Sequence, residues 1–314
     1  MTTSEPDKHL DPRRHAYRED LAAESLRGKV ATANFTAGNK RQVIRAAVAL
    51  RRRPAGNVGL ETEALFGEIV TVYDEADGWA WIQLERDGYV GYVPADALAR
   101  EVRTPTHRVS ALGTFLYPVP DMKSAPIMHL SITSQLAIAE RVDRFYRLAS
   151  GGFVIDRHVS ERDRYGRDFV DIAERLIGTP YLWGGRTRIG LDCSGLVQVS
   201  MEAAGLPAPR DTDMQLHELG SEVLVPRSLE GLQRGDLIYW PGHVGIMCDG
   251  MMMVHANAHH MAVVVEPLAE AVHRISRTGS EIAAIKRVEA LSGHGLSQSG
   301  GVSDDTGQKL SAGP

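Results

Sequence analysis

A chain of 314 residues exceeds one ordinary domain, and its 43% hydrophobic and 24% charged residues are those of a folded soluble protein, which excludes disordered and fibrous classes. A formal net charge of −5 supplies no general basic field, so nucleic acid is not expected as a partner; no apolar run approaches the ~20 residues that span a bilayer, so neither is a membrane. Two cysteines, Cys193 and Cys248, allow neither a disulfide framework nor a four-cysteine zinc site, but leave room for a lone nucleophile.

The opening segment MTTSEPDKHLDPRRHAYRED is charged throughout and lacks the apolar stretch of a secretory signal, so a cytoplasmic protein is expected. Residues 1–42 read as a loosely held N-terminal arm, with a short helical pattern at Leu21, Ala22 and Leu26 closed by Gly28. Residues 43–100 turn to short β-rich runs at 69–73, 79–84 and 89–93, separated by Asp77-Gly78 and Asp87-Gly88, which predicts a small barrel. Residues 105–160 repeat that layout, with Gly152-Phe153-Val154 falling where Gly88-Tyr89-Val90 falls in the first copy, and predict a second, diverged barrel. The segment from Gly78-Trp79 to Gly88-Tyr89-Val90-Gly91-Tyr92-Val93-Pro94 resembles bacterial SH3 domains, modules that accompany cell-wall enzymes. A generic barrel without a binding role is the alternative, above all for the second copy. Arg51-Arg52-Arg53 reads as a solvated barrel loop.

From Arg167 the pattern turns helical, with Phe169, Ile172, Ala173, Leu176 and Ile177 on one face and Gly178 and Pro180 ending it. Asp192 is an N-cap for a second helix from Cys193 to about Ala204, which Gly205 stops. A polar loop follows, then strands at 236–240, 243–248, 251–256, 261–266 and 282–288. Helices followed by an antiparallel sheet make residues 167–290 an α+β unit. Residues 291–314, rich in Gly and Ser without apolar periodicity, read as a disordered tail.

A helix N-terminus favours negative charge, so Cys193 is placed to be partly thiolate, and Ser194-Gly195 leave space around the sulfur and its backbone N–H. A thiol nucleophile needs an imidazole to share its proton and a third polar group to fix that ring. His243, opening one strand, and His255, on the next, are the candidates. Taken singly, each has a plainer alternative: Cys193 a buried core residue, the histidines structural. Cys248, within an apolar strand, reads as inert packing. No metal is expected, because the histidines at 255, 259 and 260 have no matching carboxylate or cysteine spacing; His260 is left as a possible substrate contact.

Five motifs in order, Tyr181-Leu182-Trp183-Gly184-Gly185, Leu191-Asp192-Cys193-Ser194-Gly195-Leu196-Val197, Arg234-Gly235-Asp236-Leu237-Ile238-Tyr239-Trp240, His243-Val244-Gly245-Ile246 and Val254-His255-Ala256, resemble the NlpC/P60 family of papain-like peptidases. The resemblance implies a papain-like fold and a Cys193–His243–His255 triad without a cofactor. It further implies that Tyr181 supports the thiol and oxyanion region, that Asp192 and Ser194 fix the substrate, and that Arg210 and Thr212 belong to a substrate-contacting loop, for which a solvated turn is the alternative. It also implies hydrolysis of the γ-D-glutamyl to meso-diaminopimelate bond in muropeptides with a free N-terminal L-Ala, as in wall-peptide recycling. A buried acid should receive that amine, since an unpaired ammonium is costly to desolvate; Asp192 is the first candidate, and as a cap alone it would contribute only ~1 kcal/mol. Glu68 and Tyr89 of the first barrel are proposed to line the same pocket, the alternatives being a solvated turn and the barrel core. The rival readings are an exported wall hydrolase, a related thiol acyltransferase and an inactive wall-binding protein.

Overall fold

In the computed structural model of the protein, which describes residues 10–224 and 229–288, Asp77 and Gly78 both take positive φ, 51° and 78°. That is the two-residue hairpin turn whose twist matches the strands it joins, here Ile69–Ala76 and Trp79–Leu84, with Ala76 opposite Trp79. These strands belong to a seven-stranded antiparallel sheet, ordered 60–65, 47–51, 90–94, 79–84, 69–76, 39–43, 98–99. Val70, Val72, Ala80, Ile82, Leu84 and Val93 alternate inward to form its core. The module begins inside the expected arm, at Asn39–Val43.

Residues 105–160 carry a separate core of Val109, Leu116, Leu130, Leu136, Leu148 and Val154. The local order of the first module recurs: a left-handed glycine (Gly88, Gly152), a strand (Val90–Pro94, Phe153–Ile155), a 3₁₀ turn and a short strand. The strands here nevertheless divide into three small sheets, and among the described residues no sheet closes on itself. The expectation of two barrels is therefore not met in that form.

From residue 10 on, the arm is not loosely held. Leu21–Ala23 is a strand paired in parallel with Asn34–Thr36, and Ala16, Ala23 and Leu26 are buried against Trp81 of the module. Three apolar residues cannot nucleate a helix alone, and burial against the module decides their conformation. The expected tail at 291–314 lies outside the described residues.

Beyond residue 167, helix α1 (Phe169–Arg175) starts at Asp168, whose side chain accepts from Val170 N at 2.8 Å, and α2 (Cys193–Ala203) starts at Asp192. An all-antiparallel sheet follows, ordered 221–222, 284–287, 236–240, 243–247, 252–257, 262–267. Its strands are apolar on both faces because both are covered. Leu237, Tyr239, Val244, Ile246, Val254 and Ala256 meet α1 and α2, while Ile238, Trp240, Met247 and Met253 meet α4 (Leu268–Ser276). Two helices were not expected: α4, with Leu268, Ala271, Val272 and Ile275 at helical spacing, and α3 (Thr212–Glu218), where the sequence suggested a polar loop.

A buried ion cluster fastens the first module to the α+β unit. Glu68 of the module binds Arg186 at 2.7 Å and Arg86 at 3.1 Å; Glu202 on α2 binds both arginines at 2.7 Å; Asp87 binds Arg86 at 2.9 Å. Arg186 is fully buried and Glu68 is 2% exposed. Glu68 is thus neither on a solvated turn nor in a substrate pocket: with both guanidinium partners in place, its charge is consumed by the interface. Removing one partner of a buried pair strands the other charge, at a cost of about 3–5 kcal/mol. Arg186→Ala should lose stability of that order in urea denaturation, whereas substitution of the exposed Arg45, paired with Asp96 at the surface, should cost under ~1 kcal/mol.

Candidate active site

Cys193 is the first residue of α2 and is buried, 7% exposed. Its sulfur lies 3.9 Å from Thr212 Oγ1 and 4.0 Å from the Gly242 carbonyl, so it rests against the backbone that flanks His243. From the opening of its strand, His243 points Nε2 to His255 Nδ1 at 2.9 Å, and its ring packs 5.6 Å from that of Trp240. The structure therefore brings together the three residues singled out in the sequence.

The charge state differs from expectation. Burial, seconded by the Asp192 charge, pushes the Cys193 thiol up to about 11, against the lowering contacts of the Val244 N–H, Thr212 and Arg210. Burial, then the neighbouring His255 and Arg274, brings His243 down to about 3. Both shifts favour a thiol and a neutral imidazole over the expected thiolate, burial being the larger cause and the Asp192 carboxylate at the helix N-terminus the second.

That carboxylate is the centre of the local framework. Asp192 Oδ1 accepts from Gly195 N at 2.7 Å, capping α2, while Oδ2 accepts from Gly184 N and from Arg210 Nη2, each at 2.7 Å. Arg210, 1% exposed, also donates to Ser194 Oγ at 2.8 Å and to Thr62 Oγ1 of the first module at 2.9 Å. Asp192, Ser194 and Arg210 are thus a buried scaffold beneath the sulfur, and Asp192 has no free oxygen for a substrate amine. This corrects its choice as amine acceptor; the close packing of the Gly184 and Gly195 amides around it is the reason. Gly195 must be glycine, since a Cβ there would lie 2.2 Å from the Gly185 carbonyl. Of the two loop residues expected to contact substrate, only Thr212 stands beside the sulfur.

Tyr181 bridges to Leu191 and lies close enough to Cys193 and Asp192 for their charges to add to burial in raising its phenol to about 12. Among the described residues no hydrogen bond joins its hydroxyl to the thiol. Tyr89 belongs to the module core, and its hydroxyl donates to Asp211 Oδ2 at 3.0 Å, one residue before Thr212. The barrel-core reading of Tyr89 therefore holds, with its hydroxyl reaching out to the loop of Thr212. Beside it opens a cavity of about 670 Å³ lined by Arg13, Arg52, Glu61, Trp81, Tyr89 and Tyr92. Arg13 donates to Asp211 at 2.8 Å and Asp213 at 2.7 Å, bringing the N-terminal segment to its rim. Burial raises Asp211 more than Arg210, Tyr89 and Arg13 lower it.

Sequence reasoning missed the far side of the histidine pair. His255 is fully buried, and its Nε2 lies 2.6 Å from Glu266 Oε1 and 2.9 Å from Asn257 Nδ2; Glu266 is bound by both Arg274 nitrogens at 2.6 Å. A lone acid in the apolar strand Ala262–Pro267 was the available signal. Asp211 and Glu61 were not singled out either: the first lies in the loop of Arg210 and Thr212, and the second, on strand Leu60–Leu65, lies in a stretch for which no strand was expected. His260 is tied to Asn257 Oδ1 through its backbone N at 2.8 Å, and Cys248, half-buried, packs against the main core.

Residues 178–278 match the NlpC/P60 family and residues 50–98 match the bacterial dipeptidyl-peptidase SH3 domain. Among curated proteins the chain is 33% identical to a dipeptidyl-peptidase 6 of Lysinibacillus sphaericus, over 63% of this chain and 70% of that protein. It is 27% identical to a γ-D-glutamyl-L-lysine dipeptidyl-peptidase of Bacillus cereus, over 67% of this chain and 71% of that one. A crystal structure of an NlpC/P60 family protein from Bacillus cereus superposes with a TM-score of 0.66 at 22% identity, covering 79% of this chain and 99% of that chain, and shares the fold.

Because a raised thiol stays protonated below its pKa, the rate of Cys193 alkylation by iodoacetamide, followed by peptide mapping to separate Cys248, should climb through the neutral range and level off only towards about 11. A rate independent of pH across that range would mark a preformed thiolate.

Proposed function

This chain belongs to the NlpC/P60 family, and from that premise we propose that it is a cysteine endopeptidase hydrolysing the γ-D-glutamyl bond to a diamino acid in peptidoglycan-derived peptides with a free N-terminal L-Ala. The observation that carries the reading is the buried Cys193 sulfur held against the backbone around His243, whose ring is in turn fixed by His255.

In this mechanism the neutral His243 takes the thiol proton as sulfur attacks the γ-carbonyl, so that a C–S bond forms while the carbonyl π bond opens to an oxyanion. The Cys193 backbone N–H at the α2 N-terminus, with Tyr181 nearby, is placed to receive that oxyanion. Collapse breaks the C–N bond, and His243 returns its proton to the leaving amine. His243 then deprotonates a water that attacks the thioester, releasing L-Ala-D-Glu and restoring the thiol. A resting neutral pair suits this cycle, because the charges arise only as the substrate carbonyl accepts electrons.

The substrate amine is assigned to Asp211, whose carboxylate is fixed by the hydroxyl of Tyr89, a residue that lines the same cavity as Glu61. An ammonium there replaces lost hydration with a charge-assisted hydrogen bond. The first module then forms a wall of the site. A requirement for a free amine suits short recycled fragments and hence a cytoplasmic role. The Bacillus cereus relative is named for a γ-D-glutamyl-L-lysine bond, so L-lysine stands beside meso-diaminopimelate as the third residue to be tested.

Mass spectrometry of products from L-Ala-γ-D-Glu-meso-diaminopimelate, its L-lysine analogue and their N-acetylated forms tests this reading. Release of the free diamino acid is expected from at least one unblocked peptide, abolished by Cys193→Ala and slowed at least about tenfold by acetylation, the loss of one charged contact. Equal turnover of blocked peptides or of intact wall would favour the exported hydrolase, and binding without turnover in either form would favour the binding protein.

A further inference from the structure

Both ring nitrogens of His255 are engaged: Nδ1 with His243 Nε2 at 2.9 Å, and Nε2 with Glu266 Oε1 at 2.6 Å. A neutral imidazole carries one N–H and one lone pair, so the nitrogen that holds the proton decides what the ring offers to His243. Glu266 sits on the neighbouring strand, paired with Met253, and is therefore the diagonal neighbour of His255, which pairs with Val264. Burial opposes its charge, but the hydrogen bonds from His255 and Arg274 outweigh it and hold the carboxyl well below the usual carboxylate range. An ionised carboxylate can only accept. Asn257 Nδ2 also approaches His255 Nε2, at 2.9 Å, yet a lone pair on that nitrogen would face the Glu266 oxygen at the shorter distance. The proton therefore sits on Nε2.

We infer that Glu266, anchored by Arg274, is a positioning residue: it fixes His255 as the Nε2–H tautomer, so that His255 Nδ1 accepts from His243 Nε2–H and leaves the lone pair of His243 on Nδ1, the nitrogen free to take the Cys193 proton. The inference rests on His243 acting as the base. It extends the triad into a line, Cys193, His243, His255, Glu266, Arg274, whose far end is an ion pair 26% exposed at the arginine. The charged and titratable groups facing His255 are Glu266, Arg274, His243 and His260. When His243 becomes imidazolium during attack, the Glu266 charge two groups away opposes the destabilising field of Arg274.

Nitrogen NMR of the full chain with ¹⁵N-labelled histidine reads the tautomer without any turnover. The expected result is His255 protonated at Nε2 and bare at Nδ1 in the wild-type chain; protonation at Nδ1 would overturn the inference. In E266Q the amide can donate as well as accept, so the tautomer should become mixed and kcat should fall at least about tenfold with KM unchanged. E266D, which keeps an acceptor-only group, should recover part of that kcat, and R274Q, altering a half-buried anchor, should show a smaller drop than E266Q. An E266Q chain with wild-type kcat and an unmixed tautomer would contradict the role. If the wild-type chain cleaves no peptide, the proposed function fails, while the nitrogen spectrum still decides the tautomer.

Discussion

One buried carboxylate, Asp192, does most to organise this molecule. It caps the helix that begins at Cys193, holds the Gly184 amide of the preceding loop, and draws Arg210 into the interior, and Arg210 reaches Ser194 on one side and Thr62 of the first module on the other. A charge of this kind is tolerable only when every lone pair is met, and here the donors come from three separate segments. Their mutual position is therefore set by the need to neutralise it. The sulfur sits directly above, on the next residue.

The same carboxylate, second to burial, bears on the charge of the proposed reaction centre. A helix N-terminus lowers a thiol pKa when its field is unopposed. Here burial, seconded by the Asp192 charge in that field, favours the protonated sulfur, and burial favours a neutral His243. The neighbouring Glu68, Arg86, Arg186 and Glu202 cluster does for the module interface what Asp192 does for the sulfur: it holds the strand Leu60–Leu65 along the cleft, so that Glu61 and Tyr89 face the cavity beside Asp211.

Much of this was legible in the residues. Asp192 before Cys193-Ser194-Gly195 announced a capped helix with a thiol at its mouth, and α2 begins there. The strand Asp236–Trp240 and the opening of the next strand at His243 fall where the continuous apolar runs put them. What was not legible depends on contacts far apart in sequence. Glu68 was read as a pocket residue or a solvated turn because nothing nearby foretells Arg186, more than a hundred positions later, and Asp192 looked available because Arg210 is hidden in a polar loop. The arm from Leu21 to Leu26 carried a helical pattern too short to stand alone, and Trp81 supplies the packing that makes it a strand and a turn instead. The division of residues 105–160 into three small sheets is likewise a tertiary outcome of turns and register that local alternation does not encode.

The central claim is that the sulfur of the α+β unit and the Tyr89 cavity of the first module serve a single substrate. A crystal structure of the Cys193→Ala variant with L-Ala-γ-D-Glu-meso-diaminopimelate tests it most directly. The account requires the γ-carbonyl over residue 193, beside His243, with the alanine ammonium on Asp211 within reach of Glu61 and Tyr89. A peptide bound along the cleft with its amine in solvent, or bound to the module alone, would contradict it.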